Sequence, residues 1–207
     1  EIIANSINRI ITAHKIGGPV GIGALLLDRS AAPTPILHGG GQERGVRSGT
    51  LDVAGAVAFA AAVDLVTRDL ETRAARLSGL RDRLIAGIES DVAGAVLSGP
   101  RGQGRLPANA HFTFPGCEGD SLLFGLDARG LATSTGSACS AGVSRPSHVL
   151  LACGMDEDAA RSAQRFSLGH DTTENDVDAL LAALPEVVEQ ARRAGMVSAT
   201  PRWMQGA

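Results

Sequence analysis

The feature that most constrains the fold is a long helical pattern between residues 51 and 90 of this 207-residue chain. Apolar residues recur there at helical spacing, with charged residues on the remaining faces. The first part, VAGAVAFAAAVDLV, is small and apolar on nearly every face, which predicts a buried helix. Thr50 is the expected N-cap, with Asp52 in the first turn. The helical apolar positions of the second part are Leu70, Leu77, Leu80, Leu84 and Ile88.

Short strand patterns and shorter helical patterns lie on either side of this segment. GIGALLLD is a short apolar run bounded by glycines, which predicts a buried strand, and NAHFTF alternates cleanly. Strands and helices that alternate in this way indicate a mixed fold, of the α/β or the α+β class. The other predicted strands are INRIIT, 95–97, LATS and RFSL; the other predicted helices are 119–128 (stopped by Gly130), 146–152, 157–163 and 173–194, the last capped by the hydroxyls of TTEND.

The segment before residue 50 is poor in secondary structure. Two or three strands are too few for a sheet domain that is stable by itself. Much of 30–50 is a loop that contains prolines and then a glycine cluster. We therefore expect the chain to be the back half of a larger protein.

Composition excludes several classes of function. The net charge of -3 gives no basic footprint for nucleic acid, and aromatic residues make up only 3%, with no tyrosine to stack on bases. No apolar run reaches the roughly 18–20 residues of a membrane helix, and the first residues do not resemble a secretory signal. The three cysteines form no CxxC pair, and the five histidines show no paired ligand spacing. We expect a cytoplasmic protein without a metal site.

Lys15 is the only lysine among 19 Lys and Arg residues. An arginine side chain does not deprotonate in proteins, whereas a lysine amine can lose its proton in a desolvated site and attack a carbonyl. A chain that uses arginine everywhere else but keeps lysine here is consistent with Schiff-base chemistry. The alternative is a single surface lysine without a chemical role.

Two further residues are candidates for chemistry. Cys139 lies in STGSACSAG, where every neighbour is small, and this suits a nucleophile on an open loop better than a core thiol. Arg165 opens the strand RFSLG, and its planar fork of donors suits a substrate carboxylate. The alternative for Arg165 is a surface arginine. Cys117 and Cys153 are expected to be structural.

Four blocks in the same order resemble those of one known family, over about residues 12–195. They are TAHKIGGPVGIGALLL, HGGGQERGVRSGT, TGSACSAG and QRFSLGHDTTENDVD, and they are similar to blocks of the cysteine desulfurases. These are enzymes of the class V aminotransferase group that depend on pyridoxal 5'-phosphate (PLP). The resemblance implies a fold-type I PLP-dependent transferase, with a remnant of the large domain and a complete small C-terminal domain.

The resemblance also implies a division of the chain into domains. Residues 1–50 would be the C-terminal part of the large PLP-binding domain, and residues 51–90 would be connecting helices. Residues 91–195 would be the small domain with the catalytic cysteine, and residues 196–207 a flexible tail.

The resemblance implies roles for the cofactor-binding residues. Lys15 corresponds to the lysine that binds PLP covalently, and Thr12 and His14 to contacts with the cofactor phosphate. Thr50 corresponds to a threonine that reaches the cofactor of a second subunit, which implies a homodimer. The roles of Arg44 and Arg47 stay open.

The implied reaction converts L-cysteine to L-alanine. Arg165 would hold the substrate carboxylate, and Cys139 would take the sulfur as a persulfide and pass it to an acceptor protein, such as an iron–sulfur scaffold or a tRNA-thiolation relay. Members of the family are about twice as long, so we expect this segment to be inactive alone. The alternatives are a selenocysteine lyase or another class V aminotransferase, and a non-catalytic dimerisation or docking module.

Overall fold

The computed structural model describes residues 9–136 and 146–198, with side chains described up to residue 194. The chain divides into two compact units, which we call unit 1 (Glu1–Leu70) and unit 2 (Glu71–Ala207). Both units contain helix and sheet, so the mixed fold predicted from the sequence is confirmed. Within the described ranges, no helix combines the length and apolar character needed to cross a membrane.

Unit 1 contains a two-stranded antiparallel sheet. Strand β1 (Arg9–Thr12) pairs with β2 (Gly23–Leu26), so that Thr12 lies opposite Gly23. Glycine is required at position 23 because a Cβ atom there would lie 2.8 Å from the carbonyl oxygen of Ile11. Both strands were predicted, but the expected burial of β2 is wrong. All four of its residues are exposed, because no described element of unit 1 covers them.

Helix α1 (Val53–Arg68) follows in unit 1 and corrects two expectations. Its N-cap is Asp52, whose carboxylate accepts a hydrogen bond from the backbone N–H of Gly55 at 2.9 Å. Thr50 lies two residues too early to cap the helix. The small apolar surface of α1 is not buried either, since Ala62 is its only buried residue. The helix is apolar on several faces, but only the face with Ala62 is covered.

Unit 2 is built around a three-stranded antiparallel sheet in the order β3-β4-β5. The strands are β3 (Val96–Leu97), β4 (Asn109–Thr113) and β5 (Ala163–Ser167). The helices of unit 2 are α2 (Leu70–Asp91), α3 (Gly119–Asp127), α4 (His148–Ala152), α5 (Glu157–Arg161) and α6 (Glu174–Ser198). Most predicted elements are confirmed, with shifts of a few residues at their ends.

One face of this sheet forms the core with α2, α3 and α6. The alternation of NAHFTF directs Ala110 and Phe112 into the core, and Phe112 stacks on Phe114 with ring centroids 6.0 Å apart. Burying one such side chain stabilises the fold by about 1.5–3 kcal/mol. Four of the five helical positions predicted in α2 are buried; Leu70, the first, is exposed.

Local signals at the helix ends are mostly confirmed. Gly130 has a φ of 76° and ends the segment after α3, as expected. The hydroxyl of Thr173 accepts from the N–H of Asp176, whose carboxylate accepts from the N–H of Thr173, so the predicted hydroxyl cap of α6 is present. The strand expected at LATS is wrong: only Ser134 bridges to Arg165 in that segment.

Candidate functional site

The residues around Lys15 form one tight turn at the end of β1. Ala13 is fully buried, and its N–H donates to the carbonyl oxygen of Ile22 at 3.0 Å. The 3-10 helix Ala13–Ile16 begins there and ends at Gly17, which has a φ of 81° that glycine adopts without strain. Anchoring at Ala13 leaves the next two side chains, His14 and Lys15, on the surface.

This turn brings three predicted site residues together. Thr12 is half-buried, whereas His14 and Lys15 are exposed. No described residue forms a hydrogen bond or ion pair with the Lys15 amine. The desolvated surroundings that the sequence interpretation invoked for this amine are therefore not observed. The backbone beyond the turn is close-packed, since a Cβ atom on Gly18 would lie 3.0 Å from Ala62.

The glycine-rich loop contributes a cavity of about 660 Å³ within unit 1. Its lining includes Arg44, Arg47 and Thr50 together with apolar residues of β2 and α1, and Lys15 is not part of it. Arg44 has a φ of 57°, a left-handed conformation that is uncommon for a residue with a side chain. Loop bonds stabilise this path: the N–H of Gly49 donates to the side-chain oxygen of Gln42 at 3.0 Å. The carboxylates of Glu43 and Asp52 also line this cavity, so cationic, anionic and hydroxyl groups share one concave surface.

Arg165 lies in β5 of unit 2. Its side chain is half-buried, and its Nε is fully buried without a hydrogen-bond partner among the described residues. Its backbone N–H donates to the carbonyl oxygen of Ser134, and its carbonyl oxygen accepts from the N–H of Ser134 at 3.1 Å. A cationic side chain with an unused buried donor is suited to an anionic ligand.

The three cysteines have different positions. Cys139 lies outside the described residues. Cys117 is buried in the core of unit 2, and its thiol donates to the carbonyl oxygen of Val188 at 3.6 Å. Burial raises the pKa of the Cys117 thiol above its ordinary value, which fits its expected structural role. Cys153 is exposed, so the structural role expected for it is not supported.

Sequence reasoning missed one residue next to this site. His111 lies on β4 directly opposite Arg165, and burial lowers the pKa of its imidazole, with Arg105 and Arg165 acting in the same direction. The signal was present in the alternation of NAHFTF, which places the histidine on the sheet face opposite Ala110 and Phe112. In the described ranges, no three His, Cys, Asp or Glu side chains are grouped to hold a metal ion.

Comparison of the sequence with known proteins identifies the family of this chain. The family model described as Aminotransferase class-V matches residues 9–180. An IscS-like cysteine desulfurase of Mycobacterium tuberculosis is 53% identical over 189 residues, which are 91% of this chain and 48% of the relative. The cysteine desulfurase IscS of Clostridium botulinum is 43% identical over 183 residues, 88% of this chain and 46% of the relative.

A solved structure shows the same fold. The X-ray structure of a NifS-like protein from Rickettsia africae matches with a TM-score of 0.75 and 31% identity, over 87% of this chain and 47% of that one. The chain thus spans about half the length of the relatives it matches. Since the family model covers most of the sequence, the chain belongs to the class-V aminotransferase family.

Proposed function

We propose that this chain carries the substrate-binding and sulfur-accepting residues of a cysteine desulfurase. The observation that carries the proposal is the position of Arg165, whose side chain has an unused buried donor and whose backbone is bonded to Ser134. Ser134 precedes Cys139 by five residues in the sequence. A group suited to a carboxylate is therefore bonded through its backbone to the segment that leads into the thiol-bearing residues. The names of the similar proteins from Mycobacterium and Clostridium support this reaction class.

In this proposal the substrate is L-cysteine and Arg165 binds its carboxylate. A guanidinium can donate two parallel hydrogen bonds to a carboxylate, which fixes the orientation of the amino acid as well as its affinity. The opposite face of the strands around Arg165 is fully covered by the core of unit 2, since Phe166 and Ala110 are 2% and 0% exposed. A rigid strand suits a residue that has to hold a small substrate in one orientation.

The cofactor of the proposed enzyme is PLP, on which the family depends. The residues of the Lys15 turn fit this group, because an exposed amine, an imidazole and a hydroxyl follow one another on a close-packed glycine turn. Lys15 would hold the cofactor covalently, and Thr12 and His14 would contact its phosphate. Bound PLP supplies an electron sink for the carbon skeleton of the amino acid. Thr50 would reach the phosphate in a second subunit, so the proposal includes a homodimer.

The sulfur transfer balances without an external oxidant or reductant. The Cys139 thiolate attacks the substrate sulfur, so that an S–S bond forms while the C–S bond breaks and its electron pair stays on carbon. Nζ of Lys15 would take the proton from Cα of the substrate and later return it, and the Cβ carbon would gain a proton from solvent, so that the product is L-alanine. Cys139 then holds a persulfide, which passes to an acceptor protein such as an iron–sulfur scaffold or a tRNA-thiolation relay. We place this chemistry in the cytoplasm, where thiols stay reduced.

The test separates the two roles. The whole protein that contains this chain should form L-alanine from L-cysteine when purified, and Cys139→Ser should lose sulfide release yet keep the long-wavelength absorbance of the bound cofactor. Lys15→Ala should lose that absorbance, which borohydride should otherwise trap on the wild-type chain. A wild-type protein that is colourless after incubation with PLP contradicts the proposed function and favours a docking module.

A second assay distinguishes the substrate class. Release of L-alanine from L-cysteine and from L-selenocysteine is compared at equal concentrations. Turnover of selenocysteine alone would identify a selenocysteine lyase, and turnover of neither would point to another aminotransferase activity.

A further inference from the structure

His111 and Arg165 form a close cross-strand pair. They lie directly opposite each other in β4 and β5. The backbone groups of Arg165 bond to Ser134 on the other side, and the carbonyl oxygen of His111 accepts from the N–H of Ser98, just after β3. The two residues therefore form a non-hydrogen-bonded pair, the type in which side chains approach most closely, with Cα atoms about 4.5 Å apart. Both side chains leave the sheet on the face opposite the core.

The polar atoms of this pair are unusual for a protein interior. Nδ1 of His111 and Nε of Arg165 are both buried, and neither has a hydrogen-bond partner among the described residues. Burial lowers the pKa of His111, and the nearby cations Arg105 and Arg165 lower it further, so the imidazole is uncharged at neutral pH. Arg165 thus faces an uncharged ring where a carboxylate would have formed an ion pair.

The same imidazole also lies near the segment around Ser134, which bridges to β5 on the side away from β4. A Cβ atom on Gly136 would lie 3.9 Å from Nε2 of His111. The N–H of Gly136 donates to the hydroxyl of Ser134 at 3.1 Å, which fixes this bend next to the pair. His111 therefore lies close to both Arg165 and the bend at Ser134 and Gly136.

We propose that His111 is a positioning residue for carboxylate binding: it occupies the place opposite Arg165 with an imidazole and keeps the guanidinium oriented and free of an internal acidic partner. The proposal rests on the proposed function of Arg165. It predicts that a carboxylate at position 111 competes with the carboxylate of the substrate, whereas an amide of the same shape does not.

The test compares His111→Asp with the isosteric His111→Asn in the whole protein. His111→Asp should raise the KM for L-cysteine about 10-fold or more relative to His111→Asn, with kcat changed far less, because an internal ion pair removes ground-state binding. Asn109→Asp is the charge control. It adds the same charge to the same face of β4, diagonal to Arg165 and beside Arg105, and should change KM by less than about 3-fold. Equal KM values for the Asp and Asn variants at position 111 would overturn the proposal.

A second measurement does not depend on turnover. In the wild-type background His111→Asp should unfold at least about 2 °C above His111→Asn at neutral pH, and this difference should vanish when Arg165 is also changed to Gln. Persistence of the difference in the Arg165→Gln background would show that the introduced carboxylate does not pair with Arg165, and the proposal would fail.

Two further results separate this proposal from the proposed function. If His111→Asp does not fold, His111→Ala serves instead. Loss of the imidazole should then raise KM about 3- to 10-fold with kcat within about 2-fold, and an unchanged KM contradicts the positioning role.

If the wild-type protein does not turn over L-cysteine, the desulfurase assignment fails, and binding of L-alanine by titration calorimetry replaces KM in the same comparison. A wild-type protein that binds neither amino acid contradicts both.

Discussion

The two units differ in how their apolar residues are used. Of the seventeen large apolar side chains exposed among the described residues, twelve belong to unit 1, although it is the smaller unit. Only two buried apolar residues of the described chain, Ala13 and Ala62, lie in unit 1, whereas unit 2 has a continuous core. The candidate cofactor residues belong to the thinly packed unit, and Arg165 belongs to the well-packed one. Substitutions in unit 2 should therefore change stability, and those in unit 1 should mainly change chemistry.

The largest expected effect tests this contrast with one residue type in two helices. Leu84 of α2 is 1% exposed and Leu65 of α1 is 61% exposed. Leu84→Ala should lower the free energy of unfolding by about 2–5 kcal/mol, because it removes buried methyl groups and leaves a cavity. Leu65→Ala should change it by less than about 0.5 kcal/mol. Both are measured by urea unfolding followed by circular dichroism, and equal losses would show that unit 1 has a core of its own.

Native-state hydrogen exchange sharpens the comparison without any substitution. The hydrogen-bonded amides of β4 and β5 should exchange at least about 100-fold more slowly than those of β1 and β2, because opening the first pair exposes the core and opening the second exposes little that is not already accessible. The measurement is exchange detected by mass spectrometry on peptides that cover each strand. Similar protection in both sheets would contradict the contrast.

The sequence was most informative where local pattern and tertiary packing agree. The alternation of NAHFTF, the spacing of Leu77, Leu80 and Leu84, and the cap at Thr173 were all read correctly, because in unit 2 each apolar face meets another element. The turn at Ala13–Ile16 was also predicted, from a strand that ends before Lys15 and the glycines that follow it.

Each of the errors has a physical cause. The burial of β2 and α1 was inferred from apolar composition, but burial needs a partner surface, and the described part of unit 1 supplies one only at Ala13 and Ala62. Asp52 rather than Thr50 caps α1 because the helix begins at Val53, and helix ends are the least certain part of such predictions. His111 was missed because its partner, Arg165, is 54 residues away in the sequence and becomes a neighbour only through strand pairing.

A smaller effect is expected at the N-cap of α1. Asp52→Ala removes the acceptor for the N–H of Gly55 and should cost about 1 kcal/mol of local stability. Amides in the first turns of α1 should then exchange about 5-fold faster, while the urea transition of unit 2 stays in place. Asp64→Ala, in the middle of the same helix, is the control for losing an aspartate and should not speed exchange. A shift of the unit 2 transition in Asp52→Ala would show that the units do not respond separately.

The smallest expected effect concerns the pH dependence of stability through His111. Burial, with Arg105 and Arg165, lowers the folded-state pKa of this imidazole below its unfolded value of about 6.5, so the unfolded chain binds more protons between the two values. The stabilising contribution is therefore complete above pH 6.5 and is lost as the pH falls through and below it. His111→Asn should flatten this part of the curve of unfolding free energy against pH, whereas His38→Asn, at an exposed position of unit 1, is the control for removing one histidine. If the wild-type and His111→Asn curves run parallel from pH 7.5 to 5, the imidazole is not held uncharged beside Arg165. The buried site of unit 2 would then not differ from the exposed site of unit 1 in how it shifts the pKa of a histidine.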